Sequence, residues 1–172
     1  PSAGAVTLSD WVATNINTVE PGTELLQQNI TSYEASIQNL ELSEGIFSEQ
    51  LPQQLLALGS ALQDSGDPDA ALEFYDRAAH ITRVNQGLFS TQQIPILERI
   101  IDNYLSRGDM ESADEQQRYM FYLQQKSFGS DSTDLLPALN NFAEWNMFAF
   151  SAPPANSYYA NPLKDGSNLN PT

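Results

Sequence analysis

Gly45, Gly87 and Gly129 stand 42 residues apart, and each opens a short loop that runs into an apolar segment: GIFSEQLPQQL, GLFSTQQIPIL and GSDSTDLLPAL. Leu55, Leu97 and Leu139 keep the same offset, as do Leu58, Ile100 and Phe142. Pro95 and Pro137 keep it too, with Pro52 one residue early. Gly66 falls on Gly108, Ala71 on Ala113, and Tyr33 on Tyr75. Agreement of so many glycines, prolines and apolar residues at one offset marks an internal repeat. A repeat of this length confines the chain to an array of stacked units, each hiding its apolar face on a neighbour.

The clearest unit is Leu55 to Ala79, LLALGSALQDSGDPDAALEFYDRAA. Leu55, Leu58, Gly59 and Leu62 share one face of a first helix. Gly66 can adopt the positive φ that ends it, Asp67 can cap the next helix, and Pro68 sits in the first turn, where no N–H is missed. Ala71, Phe74, Tyr75 and Ala78 stripe the second helix, and its small residues allow two antiparallel helices to approach closely. The spacing predicts helices near 23–42, 50–64, 68–84, 94–106, 110–126 and 134–150, with a seventh, short one after Ser9 or Asp10 carrying Trp11, Val12, Ile16 and Val19.

Residues 8–42 then form a degenerate N-terminal repeat, 50–84 and 92–126 two full repeats, and 134–150 a half repeat, together a helical repeat domain over 1–150. The middle copy keeps Ala113 but has Gln117 where Tyr75 stood. The third copy stops after its first helix. Residues 151–172 are rich in Pro, Asn and Ser, so they are expected to be an extended tail. Phe142, Trp145, Phe148 and Phe150 thus lack the second helix that would cover them. Exposed apolar patches of this kind mark interaction sites, so these four are candidate partner-binding residues. Tyr158 and Tyr159 in the tail are candidate anchors that would fill the face in cis or in another copy, and head-to-tail docking is one form such assembly takes.

The order Leu58, Gly59, Leu62, Gly66, Ala71, Tyr75 and Ala78 resembles the tetratricopeptide-repeat (TPR) family. The run His80–Ser90, HITRVNQGLFS, followed by Gln93-Ile94-Pro95-Ile96-Leu97-Glu98, is similar to the repeat of poorly characterised TPR proteins exported by Gram-negative bacteria. The resemblance spans about residues 23–150. It implies an all-α fold, a TPR-like α-solenoid of antiparallel helix pairs, with about seven helices here. It also implies binding of a protein partner and an exported, periplasmic or extracellular location. The period exceeds the usual TPR length by eight residues, which a longer second helix and the loop VNQGLFSTQQ account for.

Charge narrows the function. Seven Lys+Arg against 22 Asp+Glu leave a net charge of −15, which disfavours nucleic acid and anionic membrane surfaces as partners. No apolar run approaches the roughly 20 residues that span a bilayer. The absence of cysteine removes disulfides, thiolate catalysis and Cys-based zinc sites. The chain opens on Pro1, which fits a processed protein or a piece of a longer array.

Chemical motifs are sparse. His80 is the only histidine, at a helix C-terminal position that suits the dipole. Asp64, Asp67 and Asp69 lie close together, but Gly66 and Tyr75 occupy positions where a calcium loop needs ligands. Turn and cap chemistry explains these acids. Arg83 and Asn85 form a candidate polar binding patch, or else tie down the 87–94 loop. No catalytic, cofactor-binding or metal-ligating residue is assigned. The leading expectation is a non-catalytic interaction module or structural subunit. The alternatives are a ligand- or metal-binding, catalytic protein with a carboxylate-rich groove, or a fragment of a longer scaffold.

Overall fold

The computed structural model describes residues 21–151. Within them lie six α-helices and no strand: α1 (Pro21–Glu44), α2 (Leu51–Asp64), α3 (Pro68–Gln86), α4 (Ile94–Ser106), α5 (Met110–Phe128) and α6 (Leu136–Ser151). Short 3-10 turns, Thr91–Gln93 and Thr133–Leu135, lead into α4 and α6. The expected helix after Ser9 and the tail beyond Ser151 lie outside the described residues, so six helices stand where about seven were expected. Each helix packs mainly on its chain neighbours, most closely α2 on α3, with a smaller contact between α2 and α4.

The 42-residue period reappears as backbone geometry. Gly45, Gly87 and Gly129 have φ of 93°, 94° and 86°, a region that favours glycine, and each ends the preceding helix. Their N–H groups return to the carbonyls of Glu41, Arg83 and Gln125. Ser48, Ser90 and Ser132 then donate their N–H groups to those glycines' carbonyls, and Leu51, Gln93 and Leu135 donate theirs to the serines' carbonyls. The serine hydroxyl oxygens accept the N–H of Gln50, Gln92 and Asp134. One loop is therefore built three times.

The tight turns repeat in the same way. Asp67 accepts the N–H of Ala70 and Asp109 that of Ser112, each at 3.1 Å, while their own N–H groups close on Leu62 and Tyr104. Loops and helices also tie successive copies together. The Asn85 amide, in the last turn of α3, donates to the Phe47 carbonyl of the preceding loop at 2.9 Å. One period on, the Ser127 hydroxyl donates to the Phe89 carbonyl. The ring of Phe47 rests on His80, and one period on Phe89 rests edge-on against Tyr122.

Between α2 and α3 the packing is tightest at Gly59, where a Cβ would stand 2.4 Å from the Tyr75 ring and 3.1 Å from the Ala71 carbonyl oxygen. Tyr75, Ala71 and Ala78 are fully buried there, as expected for the hairpin contact. In the next hairpin Ile101 and Gln117 hold the positions of Gly59 and Tyr75, and both are buried. At these register positions bulk has moved from the second helix to the first. Gln93, buried where the other copies have Leu51 and Leu135, spends its amide N–H on the Leu88 carbonyl at 2.8 Å. Among the described residues no helix is long and apolar enough to cross a membrane.

Candidate interaction surface

Helix α6 carries two apolar faces. Ala138, Trp145 and Ala149 point into the molecule and are buried, with Phe142 half-buried beside them. Phe142 stacks flat on Phe121 of α5, centroids 4.5 Å apart and planes within 1°. The Trp145 indole N–H donates to the buried Asp114 carboxylate at 2.8 Å, and the other carboxylate oxygen accepts from Arg118 at 2.6 Å. Trp145 is therefore not part of an uncovered face. It is only 9% exposed, because α5 supplies a partner for its one polar atom. Phe148 leans on Trp145 at 5.7 Å and stays half-exposed.

The open face is a different stripe. Leu136, Leu139, Ala143, Met147 and Phe150 are all exposed, Met147 at 73% and Phe150 at 83%. Their equivalents one period back are Ile94, Leu97, Ile101, Leu105 and Gly108. Of these, Leu97 and Ile101 are buried, and Ile94 and Leu105 partly so. Two periods back, Leu55 and Gly59 are buried in the same way. At Gly59 that stripe meets Tyr75 and Ala71 of the second helix of its own hairpin. Phe150 stands where the turn glycines Gly66 and Gly108 reverse the chain, and here the helix continues to Ser151.

Of the residues singled out from sequence, Phe150 lies on this stripe, Phe142 and Trp145 on the opposite face, and Phe148 at its edge. Tyr158 and Tyr159 lie outside the described residues. Sequence reasoning passed over Leu136, Leu139, Ala143 and Met147. Their signal was present: a second apolar set on one helix, at the same helical spacing as the first.

Arg83 and Asn85 are not brought into one site. Asn85 holds the preceding loop through Phe47 and edges a cleft of about 340 Å³ between the starts of α2 and α4 and the end of α3. Pro52, Leu56, Thr82, Gln92 and Ile96 also line it, and Glu49 is its one acidic side chain. Arg83 does not line it. The groove is thus rich in amides and prolines rather than carboxylates. Among the described residues no group of three or more His, Cys, Asp or Glu could hold a metal ion.

Two of the three acids considered for calcium are otherwise engaged: Asp67 caps α3, and Asp69 pairs with Arg107 at 2.8 Å. Groups with displaced titration sit in the hairpins. Burial raises the Tyr75 and Tyr104 phenols, while hydrogen bonds from Ser112 lower the Asp109 carboxyl. No protein-family model and no curated protein matches this chain.

Proposed function

We propose that this protein is a non-catalytic interaction module, a TPR-like α-solenoid that docks a partner chain, or another copy of itself, through the open stripe of α6. One observation carries the reading: Leu139 and Ala143 are exposed at register positions that are buried in both earlier copies, by Leu97 and Ile101 and by Leu55 and Gly59. An apolar stripe at hairpin register calls for a helix laid against it, which is the groove mode of helix recognition. The solenoid part of the reading is supported by the loops, which repeat their backbone hydrogen bonds at Gly45, Gly87 and Gly129. The exported location implied by the family resemblance belongs to the same reading.

The absence of native cysteine makes the test direct. A full-length Met147→Cys variant carries a single thiol on the stripe. At nanomolar protein it should react with a maleimide about as fast as a thiol on an exposed control position, because none of the described residues shields it. Protection at that dilution would mean that the chain covers its own face, and the docking function would fall.

A further inference from the structure

Resting on that reading of α6 as a docking face, we infer that its occupant is α6 of a second copy, laid antiparallel about a two-fold axis at Ala143. The stripe runs Leu136, Leu139, Ala143, Met147, Phe150, with gaps of three, four, four and three residues. That spacing reads the same in both directions. An antiparallel copy therefore sets Leu136 against Phe150, Leu139 against Met147, and Ala143 against Ala143, and it does so on both sides of the axis at once. Such self-complementarity is what a closed two-fold interface requires. The small residue falls at the centre, where the helices come nearest, and the large ones fall at the ends. Gly59 serves the same purpose two periods earlier, against Tyr75.

Charge limits where two copies can meet. Two chains of net charge −15 repel, and they repel least where charges are fewest. Glu144 is the one charged residue of α6, and it flanks the stripe. Head-to-tail docking fits less well. The opposite end of the described array is α1, and the depression along it is lined by Glu24, Gln27, Gln28, Thr31, Ser32 and Ala35. Apolar side chains seated there would cover amides and a carboxylate without satisfying them.

A single helix pair buries an area at the low end for specific complexes, so association should be weak and is followed over roughly 10–100 μM. Light scattering on the full chain should show the mass rising from one copy to two across that range. Leu139→Asp and Met147→Lys should each hold the mass at one copy to at least tenfold higher concentration. Both positions are exposed, so neither change should alter the melting temperature measured at nanomolar dilution. An Ala143→Cys variant treated with a short bis-maleimide should give a covalent homodimer by itself. If it instead links only to a Ser32→Cys variant, the contact is head to tail and the inference is overturned. A chain that stays monomeric to 500 μM also overturns it. In that case fast labelling of the Met147→Cys variant leaves the docking face standing for another partner, and slow labelling removes both.

Discussion

Trp145 donates its indole N–H to the Asp114 carboxylate, and this 2.8 Å bond joins the last described helix to the one before it. The register position is used once before: Asn103, one period earlier, donates its amide to the Pro68 carbonyl at 2.8 Å, reaching back to the start of the preceding second helix. A polar tip on an otherwise apolar helix face thus ties α4 and α6 each to the hairpin before it. Asp114 is 3% exposed, and a carboxylate buried so deeply needs donors such as this indole N–H.

Replacing the indole while keeping a ring tests that dependence. Trp145→Phe removes the N–H and leaves Asp114 with one fewer donor, which should destabilise the fold by about 1–3 kcal/mol. Urea unfolding of the variant beside Phe148→Ala, a change at an exposed ring, measures it. Equal midpoints for Trp145→Phe and the parent would show that the bond contributes nothing.

The contact at Gly59 has no room for a methyl group. Gly59→Ala should cost about 1–3 kcal/mol through overpacking against Tyr75. Combining it with Tyr75→Gln approximates the next hairpin, where Ile101 and Gln117 hold these positions, and should recover part of the loss. A double-mutant cycle by thermal melts gives the coupling, and strict additivity would mean that the two side chains do not compete for the same space.

Asn85 ties the 45–50 loop to the end of α3. Asn85→Ala should cost about 0.5–1.5 kcal/mol and leave the Phe47 carbonyl to water. Hydrogen exchange should quicken at the loop amides, those of Ser48 and Leu51 first, while α5 is unchanged. A uniform increase over all helices would instead mean global destabilisation.

Asp109 gives an acid dependence of known sign. The backbone N–H and hydroxyl of Ser112 hold its carboxyl below the ordinary value. Its stabilisation is complete above the unfolded value of about 3.9 and disappears as pH falls through the lower folded value. Asp109→Ala should therefore melt below the parent at pH 6, by about 1 kcal/mol for a lost cap, and the gap should close toward pH 2. A gap independent of pH would place the effect in helix propensity rather than in the charged cap.

The periodic elements were legible from the residues. Turn glycines, capping aspartates and first-turn prolines act over four to six residues, so Gly66-Asp67-Pro68 and the loop at Gly87 predicted their own geometry, and the observed helices start and stop within a few residues of the expected positions. Burial of Ala71 and Ala78 followed from the same local pattern. The division of α6 into two faces did not. Phe142, Trp145, Phe148 and Phe150 looked like one uncovered group because their sizes, not their angles around the helix, drew attention.

What the sequence by itself determined is the repeat: its period, its helical units and the loops that punctuate them, all set by backbone preferences of residues near one another in the chain. Only the tertiary structure decided which aromatics face outward. That choice rests on contacts 21 to 31 residues apart, Phe121 under Phe142 and Asp114 under Trp145. A helix with two apolar faces can be turned either way until a neighbour supplies a partner for its one buried N–H. Asp114 does so, and this orientation leaves Leu139, Ala143 and Met147 on the outside.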